Sequence, residues 1–214
     1  MLSFLLFVFA VAAAIASVDT TCGLNVLGSL DSTKVSKTKY ALVYIFFSTI
    51  GGVLTGLLIG GANVLLKGIH LDFYYQPVIV IVFAVFIVLE LSNKAGLLPS
   101  GNFIVPSKWI KDAGYQTAAL WGHILGMGFI TLQAGVLFHC YVLISLFAAP
   151  WWLSVVAGFC FGIVRGTVFS LPFIRTIVYQ MLEKRVSRYT ALTAARLTAS
   201  YLLLIGSIIL IIIN

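Results

Sequence analysis

The chain has 214 residues, 61% hydrophobic and only 9% charged, against about 25% charged in an ordinary soluble domain. That excludes a water-soluble protein and leaves no room for a soluble catalytic domain, because at about 20 residues plus a connection per crossing, roughly six crossings use up the length. The net charge of +7 sits mostly in short connections, where it speaks for orientation in a membrane and against nucleic-acid binding.

Residues 2–18, LSFLLFVFAVAAAIASV, open the chain with an apolar run. Ala14, Ala16 and Ser17 resemble a signal cleavage site, but no Lys or Arg precedes the run as a secretory signal requires, so it reads as a retained first helix. It is expected to continue past Asp19 towards Leu30, loosened or broken at Gly23, Asn25 and Gly28. A polar, basic connection, DSTKVSKTK, follows from Asp31. The second helix is expected over 40–66 and the third over 74–98, the latter carrying Glu90 among Val, Ile and Phe. Residues 99–115 join two halves, with Trp109 between Lys108 and Lys111 as an interfacial anchor. The fourth segment, 116–149, is longer than a straight crossing needs, so it is expected to be tilted or broken, with Gly122, Gly126, Gly128 and Gly135 as the candidate break points. Pro150 ends it and a fifth helix follows over 151–173. A basic, amphipathic stretch over 175–192 is expected along the membrane surface, before a last helix over 193–214.

The fifth helix has Gly158, Gly162 and Gly166 at every fourth position, a smooth stripe on which a neighbouring backbone can come close. Gly52, Gly56 and Gly60 form the same stripe 106 residues upstream. Such stripes also recur as ordinary packing devices, but two copies in corresponding halves suggest an internal repeat. Orientation points the same way. With the N-terminus outside, Lys34, Lys37, Lys39, Lys94, Lys108, Lys111, Arg175, Lys184, Arg185 and Arg188 all lie on the cytoplasmic side, while the external connections hold Lys67 alone. The expected architecture is therefore all-α and membrane-embedded. It is a single transmembrane domain over 1–214 with six helices in two inverted three-helix repeats, about 1–98 and about 116–214, both termini outside and helices 1 and 4 broken.

Charge inside a bilayer is costly and is usually paired or functional. Asp19, Glu90 and Arg165, with Arg196 and His123 near them, come out at roughly the same depth of 22 to 26 Å from the outer end at about 1.5 Å rise per residue. Arg165 is expected to pair with Glu90 or Asp19 around a polar cavity. A purely structural ion pair, or an arginine reaching to the inner headgroups, explains the same residues. Cys22, Cys140 and Cys160 lack metal-ligand or CxxC spacing, so no metal site is expected. His139 is expected as a hydrogen-bonded packing residue, and no cofactor signature is present.

The segments AALWGHILGMGFITLQAGVLFHCYVLISLFA and VVAGFCFGIVRGTVFSLPF, with a GxxxGxG run followed by Thr131, a long interrupted helix and a tight turn, resemble helices four and five of the lysine-exporter superfamily, in particular its cytochrome c biogenesis and DsbD-type branch. VDTTCGLNVLGSL stands where that branch has a broken helix with a reactive cysteine, and Cys22 matches it. The resemblance covers about two thirds of the chain and implies six crossings in inverted halves. It departs where that branch carries Cys-Pro in both broken helices: Gly23 follows Cys22, and Gln133 stands at the matching position of the second half.

Taken together, the sequence leads us to expect a prokaryotic plasma-membrane transporter that moves a small solute or ion by alternating access. Asp19, Cys22, Glu90, His123, Gln133 and Arg165 are its candidate lining, and the two glycine stripes are its packing surfaces. A thiol-disulfide electron relay through Cys22 and Cys140 is the enzymatic alternative, and a non-catalytic membrane subunit is the third. The expected partners are the lipid bilayer, the solute, and a protein subunit or second copy.

Overall fold

The computed structural model describes residues 2–17, 21–68, 75–92, 94–99, 101, 114–130, 135–174, 176–177 and 187–213. Among these there is no strand; the fold is all-α. Its helices are α1 (Leu2–Ala16), α2 (Thr21–Asp31), α3 (Lys37–Gly68), α4 (Tyr75–Leu91), α5 (Tyr115–Gly126), α6 (Val136–Phe147), α7 (Trp151–Ser170) and α8 (Ser187–Ile213), with a short 3-10 turn at Ala95–Leu97.

Three of them are long and apolar enough to cross a membrane: α3, α7 and the Thr193–Ile213 part of α8. Six such helices were expected, and the difference has two causes. The fourth apolar segment is divided into two shorter helices, α5 and α6, and the first is described as α1 and α2 on either side of residues 18–20, which lie outside the described residues. The third, α4, stops at Leu91 instead of 98, leaving 17 residues, about 26 Å of helix against about 30 Å of hydrocarbon. Polar residues end it: Ser92 turns its hydroxyl to the Leu89 carbonyl, and the Lys94 amide takes that same carbonyl in a wider turn. Pro77 sits in the first turn of α4, where a missing N–H removes no helical bond.

In the first segment α1 ends at Ala16, and Gly23, Asn25 and Gly28 lie inside α2 and do not break it; residues 18–20 between the two lie outside the described residues. At the end of α1 the Ser17 hydroxyl folds back on the Ala14 carbonyl at 2.6 Å and satisfies one of the last carbonyls of the helix. The fourth segment breaks inside the expected glycine range, after Gly126 and before Gly135. Gly122 is not part of the break; it is a contact point within α5. Pro150 and Pro172 bracket α7, and Leu171 before the second proline is extended, as the proline ring requires. The surface stretch expected over 175–192 lies mostly outside the described residues, and α8 is already helical from Ser187.

Two apolar clusters hold the bundle. One joins Leu6 and Phe9 of α1, Phe83 of α4, Phe138 and Ile144 of α6, Phe161 of α7 and Leu204 of α8. Phe9 and Phe83 meet edge to face, and Tyr141 stacks on Phe161. The other joins Leu27 and Leu30 of α2, Tyr40 and Tyr44 of α3, Trp121 and Leu125 of α5, and Phe169 of α7. Between them runs a waist of small and polar residues on α3, α5 and α7, and the candidate site is built there.

Candidate functional site

The waist begins as a seam between α3 and α7. A Cβ added at Gly52 would collide with the Gly158 carbonyl and approach Gly162; one at Gly56 would collide with the Ser154 carbonyl, and one at Gly60 would come within 2.7 Å of the Trp151 carbonyl. From the other side, Gly158 would meet Gly52, Gly162 would meet Ser48, and Gly166 would meet Ile45. The partner numbers fall on α7 as they rise on α3, so the two helices run antiparallel. Both stripes named from the sequence thus pack against each other, backbone on backbone.

The face of α3 next to that stripe receives α5. Gly51 sits against the His123 carbonyl and Gly126, while Gly122 sits against the Tyr44 carbonyl. Polar side chains tie these surfaces together. The Ser48 hydroxyl donates to the Gly162 carbonyl at 2.9 Å, and Thr55 donates to the Gly51 carbonyl at 3.1 Å while approaching the Gly126 carbonyl at 3.4 Å. Asn63 reaches the Leu146 carbonyl on α6. All three are buried. Sequence reasoning missed them, although Ser48, Thr55 and Asn63 fall on the glycine side of α3 and carry a readable spacing.

Arg165 lies at the end of this construction. It is 2% exposed, its Nη1 donates to the Leu125 carbonyl at 2.6 Å, and its guanidinium lies 5.5 Å from the Phe161 ring centroid. Leu125 belongs to the last turn of α5, whose final carbonyls have no partner within the helix and form the negative end of its dipole. Neighbouring carbonyls are covered as well: His123 accepts from the Met127 amide, and Gly126 from the Gly128 amide. A cation inside an apolar helix is thereby explained, because it faces the negative end of an interrupted one. The expected pairing with Glu90 is not the one made. The expected pairing with Asp19 concerns a residue outside the described set.

Glu90 lies elsewhere, near the end of α4. It is 8% exposed and its carboxyl faces Ser200 and the Arg196 guanidinium of α8, with Tyr201 also nearby. Its Oε2 is buried without a hydrogen bond. The fully buried thiol of Cys140 on α6 is also within its electrostatic reach. The single polar layer expected from helix depths is therefore two clusters, one at Arg165 and one at Glu90. Depth along a helix says nothing about which way a side chain points.

His123 is partly buried on α5 and supplies its carbonyl to the waist. His139 is partly buried on α6 and lies between two carbonyl oxygens, Nδ1 at 3.1 Å from Gly135 and Nε2 at 2.9 Å from Pro99. The second contact brings the segment after α4 to the first turn of α6. Gly101 in the same segment lies so close to Phe129 and Ile130 that a Cβ there would fall 2.5 Å from the Ile130 carbonyl. Residues 99 and 101 thus lie against both sides of the α5–α6 interruption. Of the remaining candidates, Gln133 and the side chain of Cys22 are outside the described residues, with the Cys22 backbone in α2. Cys140 and Cys160 are free thiols. Among the described residues no cluster of His, Cys, Asp and Glu has the makings of a metal site.

No known family model, curated protein or solved structure matches this chain.

Proposed function

We propose that the chain is a multi-pass transporter that moves a small solute or ion by alternating access, with two inverted halves of the lysine-exporter type in a prokaryotic plasma membrane. The observation that carries the reading is the waist: an antiparallel glycine seam between α3 and α7, beside an interrupted helix whose carbonyl end holds a buried arginine. Interrupted helices within a membrane present unspent backbone dipoles, which suit the recognition of a charged or polar solute.

Helix neighbours support the two-half arrangement. Exchanging α1–α4 with α5–α8 turns the α3–α5 contact into α7–α1, and the α3–α6 contact into α7–α2. It leaves the α3–α7 and α4–α8 contacts unchanged. Each of these pairs is in contact, as a half-turn about an axis in the membrane plane requires. The ten-to-one division of connecting basic residues supports both termini outside.

The test is flux. The purified chain is placed in liposomes, and exchange of radiolabelled amino acids, inorganic anions and inorganic cations is followed against empty liposomes. Exchange of one of these classes that falls at least tenfold in Arg165→Gln, in a protein that still folds, supports the reading. No exchange of any class, together with a partner chain that co-purifies, would replace it with the role of a membrane subunit.

A further inference from the structure

The Glu90 cluster is separate from the waist. Glu90 is the only charged residue of α4, and among the described residues the titratable or charged groups facing it belong to other elements. These are Arg196 and Tyr201 from α8 and Cys140 from α6, while the His139 ring packs on Phe86 one turn away. One oxygen of this largely buried carboxyl, Oε2, is covered and has no hydrogen-bond donor. A permanently ionised, purely structural pair leaves that oxygen unsatisfied, which is costly in an apolar interior. A proton on the carboxyl removes its charge, and a neutral polar group is far cheaper to bury than an ionised one.

Resting on the transport reading, and naming its coupling ion, we infer that Glu90 is a proton-exchange site, protonated in one state of the cycle and ionised against Arg196 in the other. The proton comes from hydronium on whichever side the cluster opens to; an O–H bond forms at the carboxyl, and the cluster gains one positive charge. A metal ion fits poorly. Hard cations such as calcium or magnesium take about six oxygen ligands, whereas the neighbours here are one hydroxyl, one phenol, a thiol and a competing guanidinium. Protonation changes the attraction between α4 and α8, two helices in direct contact, so the state of one group bears on how one half meets the other.

Infrared difference spectra of the full chain in lipid nanodiscs, recorded between acid and alkaline pH, test the site without any solute. A carbonyl-stretch band of a buried protonated carboxyl is expected in the wild type, absent in Glu90→Gln and retained at a shifted position in Glu90→Asp. With the guanidinium removed in Arg196→Gln, the band is expected to persist to higher pH. Identical difference spectra for wild type and Glu90→Gln would overturn the inference, as would a band indifferent to Arg196→Gln. In liposomes, uptake driven by a pH gradient is expected to fall at least tenfold in Glu90→Gln while gradient-free exchange continues. If the wild type exchanges no solute, the transport reading fails on that result, and the infrared spectra still decide whether Glu90 takes a proton.

Discussion

Arg165 shows how one side chain makes an expensive position tolerable. It brings a permanent positive charge to the carbonyl end of α5, so removing it takes away a charge-assisted hydrogen bond and leaves the Leu125 carbonyl buried without that donor. Arg165→Leu is expected to destabilise the fold by about 2 to 3 kcal/mol, read as a lowered midpoint of thermal unfolding in detergent; an unchanged midpoint contradicts the capping role. His139 acts on a smaller scale. Its two ring nitrogens lie against two carbonyl oxygens, Gly135 and Pro99, and so tie the segment after α4 to α6. His139→Phe keeps a ring beside Phe86 and Phe138 but gives the Pro99 carbonyl no donor. Amide exchange at 95–101 should then quicken roughly fivefold, the worth of about one hydrogen bond. The charged residues were legible in the sequence as costly, but their partners were not. A partner depends on side-chain direction around each helix, and on carbonyl acceptors that every residue carries and no letter marks.

Among the elements, the glycine seam makes the clearest distinction between positions that look alike. Gly52 and Gly61 both lie in α3, yet a Cβ at Gly52 runs into α7 while one at Gly61 meets nothing within 4 Å. Gly52→Ala is expected to cost about 1 to 3 kcal/mol through overpacking. Gly61→Ala is expected to leave stability unchanged or raise it slightly, since alanine is the better helix former. Paired thermal unfolding curves in one detergent measure both, and equal effects would remove the distinction. The stripes themselves were readable because a four-residue spacing is a local pattern. The interruption of the fourth segment was readable for the same reason, with Gly126 and Gly135 at its edges. In the first segment the glycines were misleading: Gly23 and Gly28 are accommodated within α2, and it is the Ser17 hydroxyl that takes the Ala14 carbonyl at the end of α1.

At the scale of the molecule, hydrophobic content and charge distribution made a helical membrane protein legible, while the number of full-length spans was not. Composition counts apolar residues; it does not register that the fourth apolar segment is divided and that the third stops short. The ends of α3 offer a direct check on orientation. Lys37 and Lys67 are exposed at opposite ends of its 32 residues, about 45 Å apart along the axis. In sealed right-side-out vesicles, a membrane-impermeant amine reagent is expected to label Lys67 and spare Lys34, Lys37 and Lys39; the reverse pattern inverts the proposed orientation.

The meeting of α3 and α7 also limits how the two can be displaced. Their hollows recur every four residues, close to one helical turn of about 5.4 Å. Axial displacement drives carbonyl oxygens of one helix into the glycine methylenes of the other, so shape fixes the register of the pair, with no ionic or covalent link along the seam.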